Sequence, residues 1–460
     1  MLTEEKNKQA KTSKGEWNPQ SWLQYPIKQL PEYPDQEELE KAYKKLSSLP
    51  PLITSWEIEA LKDKLAEASA GKRFMIQGGD CAEKFEDCEP GKIVNMLKVL
   101  LQTSFILIHE MGVPVVRIGR MAGQYAKPRS SNWVEVDGEK MMNYRGDLIN
   151  SIEADKEARR PDPNRLIQGY NSAGLTLNFL RALADEGFAD LHHPEYWELD
   201  FMKQNRYYKE YKAMVQSINK AIQFVESISP TNYPMLQNIK MYTSHEALNL
   251  YYDSAQTRQV PRREGYYNLT SHMVWLGHRT RDLDGAHVEY LRGIRNPIGI
   301  KMGPGLDHEE AIRIIETLNP TREAGKIVLI TRFGQDKVAD ELPDLIKAVE
   351  REGLEVVWSC DPMHGNTFKT DEEIKTRNFE DILSEIKKTF EIHRAQNTYL
   401  GGVHLELTGD NVTECVGGAQ GLNEDGLKHN YETYCDPRLN YKQSLEMAFL
   451  IAQEWKLSYG

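Results

Sequence analysis

The chain has few cysteines for its length, no excess of positive charge and no unbroken hydrophobic run, and each shortage removes a class of function. Of 460 residues only five are cysteine: Cys81, Cys88, Cys360, Cys415 and Cys435. So sparse and odd a set does not make a disulfide framework, which points to reduced thiols and a cytoplasmic protein. Lys and Arg number 57 against 69 Asp and Glu, a formal charge of −12 at pH 7. Broad nucleic-acid binding needs a basic footprint and is not expected. No apolar run reaches the roughly 20 residues that span a bilayer. The best, Val99 to Ile108, is interrupted by Gln102, Thr103 and Ser104, so no membrane partner is expected either. The first residues, MLTEEKNKQAKTSKGEW, lack a hydrophobic signal core and carry acidic residues early, unlike a transit peptide. They read as a polar, mobile tail.

What is present describes a globular α/β chain. Hydrophobic residues make up 40% and charged residues 27%, ample for a core. Residues 36–70 carry helical periodicity, divided by Pro50 and Pro51. Eight short apolar runs follow: Phe74–Gln77, Val113–Ile118, Ile239–Tyr242, Met273–Gly277, Pro297–Lys301, Ile327–Thr331, Glu355–Ser359 and Gly402–Leu407. Helical patterns such as Glu309–Leu318, Leu342–Glu352 and Phe379–His393 lie between them. Strands alternating with helices imply parallel pairing, and eight units suggest a (β/α)8 TIM barrel, with a doubly wound open sheet as the rival. The expected organisation is an N-terminal extension over 1–70 and a catalytic barrel over 71–460. Within the barrel, a helical insertion at about 160–235 separates the second and third strands. That insertion carries helical patterns at about Arg165–Gly187 and Tyr207–Ser227, whose apolar surface needs the barrel flank or another subunit to cover it.

In such a barrel the C-terminal strand ends converge on one face, where catalytic groups collect. The ends of these runs carry two kinds of residue. Arg120, Lys127, Arg129, Arg279, Lys301 and Arg332 come from four different strand ends. A lysine or arginine closing an apolar strand is costly to bury alone, so these cations suggest a pocket for substrates with several negative charges. Cys81, His364, Glu406 and Asp436 form a mixed S/N/O set suited to a first-row divalent metal. They lack the tight spacing of a zinc finger, and by spacing alone they are weak evidence for a site.

At these residues the chain resembles the class II 3-deoxy-D-arabino-heptulosonate 7-phosphate (DAHP) synthases. The resemblance runs from about Trp17 to Leu457. It rests on QGGDCAE (77–83), GRMAGQYAKPRS (119–130), YRGD (144–147), SHEAL (244–248), RTRDLDGAHVE (279–289), DPMHGNT (361–367), GGVHLELTGDNVTEC (401–415) and CDPRLN (435–440). It implies a (β/α)8 barrel and a transferase that condenses phosphoenolpyruvate with erythrose 4-phosphate at the entry to the shikimate pathway. One divalent metal ion is implied, Mn²⁺ or Co²⁺ foremost and Fe²⁺, Zn²⁺ or Cd²⁺ as alternatives, with Cys81, His364, Glu406 and Asp436 as its ligands. By the same likeness Arg120, Arg279, Lys301 and Arg332 contact phosphoenolpyruvate. Lys127, Arg129 and Ser130 handle erythrose 4-phosphate, and Lys127 sits where aldehyde or proton-transfer work is done. The extension and insertion resemble decorations that serve assembly and feedback. They imply a homo-oligomer, dimer or tetramer, open to an aromatic amino acid effector and a chorismate mutase partner.

The chain departs from the family pattern in two places. His278 stands where Glu is usual, and Asp410 is a milder Glu-to-Asp change. His278 is expected to serve the substrate phosphate through its backbone N–H, although the change keeps open an amino-sugar substrate in secondary metabolism. Because Cys435 adjoins Asp436, the metal-free protein is expected to allow a Cys81–Cys435 disulfide. His404 reads as a core residue pointing into the barrel, and His245 and Glu246 as supports to the site.

Overall fold

The computed structural model describes residues 16–136, 138–185, 207–228 and 240–460. The tail expected at 1–15 lies outside these, as do 186–206 and 229–235 of the expected insertion. Eight parallel strands close into a barrel. They are β1 (Phe74–Gly79), β2 (Val115–Arg120), β3 (Tyr242–Glu246), β4 (Met273–Leu276), β5 (Ile298–Met302), β6 (Ile327–Thr331), β7 (Val357–Cys360) and β8 (Leu400–Glu406). Each pairs with the next in chain order, and β1 pairs with β8 to close the ring. The fold is thus a (β/α)8 barrel, and the open-sheet alternative is excluded.

Four strands, β1, β2, β5 and β7, run one or two residues beyond their apolar runs, and in β1 and β2 the added residues are glycines and an arginine at the barrel mouth. The largest displacement is at β3, which was expected to end at Tyr242 and instead continues to Glu246. Thr243 and Ser244 are buried there, and Ser244 is tied in by hydrogen bonds. Gln77 Nε2 donates to its Oγ at 2.9 Å, and that hydroxyl donates to the Gly119 carbonyl at 3.2 Å. A strand whose inward side chains are polar has no apolar run to betray it.

The opposite end of the barrel is sealed. The helix Ser55–Ser69 begins with a capping box between Thr54 and Glu57, a feature worth about 1 kcal/mol. Its Leu61, Leu65 and Ala68 join Met75, Val116, Ile118, Val328, Ile330 and Val357 in one buried cluster. These strand residues alternate with others that face the outer helices, such as Ile76 and Leu329, so the cluster is the barrel lumen and the helix plugs its N-terminal mouth. The helix Asn164–Asp185 packs on Gln36–Ser48 and Pro90–Met111, and Tyr208–Ile228 also touches Pro90–Met111. By length and composition Pro90–Met111 is apolar enough to cross a membrane, contrary to expectation, since Gln102, Thr103 and Ser104 do not lower its average enough. All three are buried, as is 67% of its most apolar window, and it packs against the C-terminal helix Tyr441–Tyr459. Its composition is that of an interior helix.

Candidate active site

The open mouth of the barrel collects the chemical residues. Gly79 ends β1 at φ +145°, and a Cβ there would lie 2.6 Å from the Arg120 carbonyl. This close approach turns Asp80 and Cys81 over the barrel. From β2, the loop 121–127 is held by the buried Glu83 carboxylate, which accepts from the N–H groups of Ala122, Gly123 and Gln124 at 2.7, 3.0 and 2.7 Å. That grip delivers Lys127. Its ammonium donates to Cys81 Sγ at 2.7 Å and lies 2.6 Å from Asp436 Oδ2 and 3.6 Å from Glu406 Oε1. Burial disfavours the charge, but Asp436, Cys81 and Glu406 together raise the Lys127 pKa well above its usual value.

Donor atoms of Cys81, Glu406 and Asp436 all lie within 4.8 Å of one another, and all three residues are buried. His364 falls outside that group, yet its Nε2 lies 3.0 Å from Glu406 Oε1 while Nδ1 lies 2.7 Å from Asp361 Oδ2. With Nδ1–H donated to Asp361, loss of the Nε2 proton that now faces Glu406 would free a lone pair toward the cluster. This is the carboxylate–histidine arrangement that orients metal-binding imidazoles. Burial alone would raise the Glu406 pKa, but His364, Lys127, Arg377 and Arg120 hold it well below the usual carboxylate range. Its Oε2 is buried without a hydrogen-bond partner among the described residues. Arg377 Nη2 is 2.7 Å away, but the two groups are misaligned and make a charge contact only. A thiol, two ionised carboxylates and an oriented imidazole around an ammonium fit a divalent cation of the first transition row.

The cationic half lies alongside. Arg120 is buried: its Nε donates to the Asp80 carbonyl at 2.9 Å and its Nη2 to Glu406 Oε1 at 2.9 Å. Its Nη1 donates to His404 Nε2. A guanidinium can only donate, so His404 carries its proton on Nδ1, which donates to Gln77 Oε1 at 2.7 Å. Burial first, then Lys301 and Arg120, keep His404 neutral by lowering its pKa. His404 is the inward-facing core residue that was expected, and it props Arg120. Lys301 pairs with Asp361 and lies 5.8 Å from the centre of the Trp275 ring. Arg332 Nη2 donates to the His364 carbonyl at 2.6 Å. Arg120, Lys127, His278, Arg279, Lys301 and Arg332 line one cavity of about 200 Å³, together with His364, Asp436, Trp275, Glu246 and Lys375. Arg129 and Ser130 are not on its wall. Arg129 Nη2 turns to Cys435 Sγ at 3.3 Å, and Ser130 is exposed. A larger cavity of about 350 Å³, between Trp56, Leu177 and Thr243, contains none of these residues.

Three participants were not legible in advance. Lys375 and Arg377 lie on a short hairpin, Thr367–Lys369 with Lys375–Arg377, that brings them onto Asp436 and Glu406. Their segment, KTDEEIKTR, has the composition of a solvated loop. Asp361 stood in the DPMHGNT motif, but nothing local marked it as the partner of both Lys301 and His364.

Cys81 and Cys435 are hydrogen-bonded thiols. Burial, then that contact, pushes the Cys81 pKa up, while the same contact, with Arg129 and Lys127 opposing burial, lowers Cys435 to about 7. In protein stripped of metal by EDTA and treated with diamide, a Cys81–Cys435 disulfide is expected to form and Mn²⁺ binding to be lost. Peptide mass mapping that found both thiols free would refute this.

Fold and site together define a (β/α)8-barrel enzyme whose mouth is built for polyanionic ligands. The chain belongs to the class-II DAHP synthetase family, whose model matches residues 17–452. It is 46% identical over 456 residues to the phospho-2-dehydro-3-deoxyheptonate aldolase of Neurospora crassa, covering 96% of this chain and 94% of that one. It is 45% identical over 447 residues to the Streptomyces coelicolor protein of the same name, covering 97% and 99%. A truncated 3-deoxy-D-arabino-heptulosonate 7-phosphate synthase from Thermotoga maritima superposes with a TM-score of 0.33 at 11% identity, covering 84% of this chain and 87% of that one. A likeness that low adds nothing to the topology above.

Proposed function

We propose that the chain is a metal-dependent 3-deoxy-7-phosphoheptulonate synthase, joining phosphoenolpyruvate to erythrose 4-phosphate with release of phosphate at the first step of the shikimate pathway. The observation that carries this reading is a cavity in which a nest of cations meets His364 and Asp436, the latter clustered with the buried Cys81 and Glu406 behind it. Cys81, His364, Glu406 and Asp436 would hold the ion, Mn²⁺ or Co²⁺ foremost, and when bound it supplies Lewis acidity to the aldehyde.

The chain's own residues do the rest. Arg120 and Lys301 hold the carboxylate of phosphoenolpyruvate, and Arg279, Lys301 and Arg332 its phosphate, so that carbon 3 faces the aldehyde. A C–C bond forms between carbon 3 and the aldehyde carbon, and the Lys127 ammonium donates a proton to the new alkoxide. Water adds to carbon 2 as Glu246 takes its proton. The C2–O bond to phosphate then breaks as the C2 hydroxyl becomes the ketone and passes its proton to the departing phosphate, which the arginines hold. Glu246 fits this duty because its Oε1 is buried, unpartnered among the described residues, on the cavity wall. Arg129 and Ser130, at the rim, would meet the aldose phosphate. Homo-oligomerisation, an aromatic amino acid effector and a chorismate mutase partner belong to the same reading and rest on family likeness, and cytoplasmic location rests on the sparse cysteines and polar first residues.

The test is an assay of phosphate release and heptulosonate formation with added Mn²⁺, before and after EDTA, comparing erythrose 4-phosphate with an amino analogue. Absence of heptulosonate with either aldose would end the reading. The pH profile offers a second check. Burial first, and Arg120 next, lower Lys301 to about 8 against the pull of Asp361. Its charge, and with it anion affinity, is lost as pH rises through that value, so kcat/KM for phosphoenolpyruvate is expected to fall above about pH 8. The limb should vanish in Lys301→Arg.

A further inference from the structure

The loop after β4 carries a feature that the family pattern does not explain. His278 lies on the cavity wall beside Arg279, Lys301 and Arg332. Its Nδ1 is 2.8 Å from Arg281 Nη1. Arginine has no acceptor, so Arg281 donates and Nδ1 accepts, which leaves the ring proton on Nε2. Arg281 Nη1 is itself held by the Lys301 carbonyl at 3.3 Å. Gly303 packs beside the same edge of the ring: a Cβ there would lie 3.4 Å from both His278 Nδ1 and Arg332 Nη1. The imidazole is therefore held by Arg281 with the Arg332 guanidinium nearby.

Two independent observations say what such a ring does. No acceptor among the described residues is paired with Nε2–H, although Nδ1 is engaged. Among the described residues no carboxylate ion-pairs with Arg332 or Arg281 within 4.0 Å, although Glu310 and Asp282 act on Arg281 from farther away; Arg332 contacts the His364 carbonyl, and its Nε is buried without a partner among them. Around the ring the wall stays net positive, although Asp361 pairs with Lys301 and Glu310 and Asp282 act on Arg281, and it gains an N–H. Burial, with Arg281, Arg332 and Arg279 adding to it, lowers the His278 pKa to about 4, so the ring adds no charge of its own near neutral pH.

Resting on the reaction assigned above, we propose that His278 is a specificity-determining residue of the phosphate subsite: a neutral imidazole, fixed by Arg281 as its Nε2–H tautomer, that donates to the substrate phosphate through its side chain. This replaces the expectation that only the backbone of residue 278 serves the phosphate. A carboxylate here would turn to Arg281 and Arg332, cancel part of their charge and offer the phosphate no donor. Arg281 is then a positioning residue, since it acts through the imidazole.

The experiment compares His278→Leu, His278→Gln and His278→Glu in the full-length protein. Two readouts are used: steady-state kinetics with phosphoenolpyruvate, and calorimetric titration with inorganic phosphate. Removing the donor should raise KM for phosphoenolpyruvate and weaken phosphate binding about tenfold in the Leu variant, a typical cost for a hydrogen bond to a charged group. Gln, which supplies a neutral N–H, should restore most of that loss. Glu should be weaker than Leu, and in each case the loss should fall on KM more than kcat. Equal phosphate affinity in all three variants and the wild type would overturn the proposal, as would a Glu variant that binds at least as well as Leu. If the wild type makes no heptulosonate, the assigned reaction fails, while the phosphate titration still judges His278.

Discussion

A Cys81→Ser variant is expected to lose about 10³-fold in kcat, the rate equivalent of the several kcal/mol that a Lewis-acidic metal contributes. Metal content measured by inductively coupled plasma mass spectrometry should fall from stoichiometric to background. The physical reason lies in the donor. Cys81 Sγ sits between the Lys127 ammonium at 2.7 Å and the Asp436 N–H at 3.3 Å, groups that favour a thiolate once a divalent ion competes for the proton. A serine hydroxyl does not ionise under the same influence. The fold should survive, because the substitution is nearly isosteric and both hydrogen-bond donors find an oxygen. An unchanged melting temperature with lost metal is therefore the expected pair of results. Full turnover with background metal would end the metal-dependent reading.

The second large effect is expected at Glu246. Replacing it by glutamine keeps shape and hydrogen-bonding capacity but removes the base, and kcat should fall by about 10²- to 10⁴-fold, the usual range for a general acid–base group. KM for phosphoenolpyruvate should change little, since on the proposed reading the arginines and Lys301 hold the anion. Gly277 leaves the necessary space: a Cβ there would lie 2.0 Å from Glu246 Oε1. Burial raises the Glu246 pKa against the lowering influence of Lys127, Lys301, His364 and Arg120. A base with a raised pKa becomes protonated at higher pH than an ordinary carboxylate. The wild-type rate should therefore decline as pH falls through that raised value, and this limb should disappear in Glu246→Gln. A variant with wild-type kcat would remove Glu246 from the chemistry and leave the cation pocket untouched.

Legibility followed the physics of each element. The strand β6 matched its apolar run from Ile327 to Thr331, because a strand buried on both faces must be apolar throughout. The strand β3 slipped because Ser244 satisfies its polarity inside the lumen and Thr243 satisfies its own on the other face, against Ser271 and His272. The cations at strand ends were legible for the opposite reason: a charge beside an apolar run demands a partner, and Arg120, Lys301 and Arg332 do share a cavity. Cys81, Glu406 and Asp436 are 325 and 30 residues apart along the chain, and only barrel closure brings their donor atoms within 4.8 Å. Lys375 and Arg377 were hidden by a hairpin whose strands are three residues long, too short for any periodicity to register.

The order of residues by itself determined the eight-fold alternation of strand and helix, the sign of the pocket and the family. These depend on local patterning and on motifs that survive as strings. Tertiary structure alone decided that Lys127 stands among the donor atoms of Cys81, Glu406 and Asp436, that His404 is a neutral prop for Arg120, and that His278 is locked in one tautomer by Arg281. Each of these is a property of distance, burial and facing charge between segments remote in the chain, and no one-dimensional pattern encodes the dielectric or the direction of a hydrogen bond.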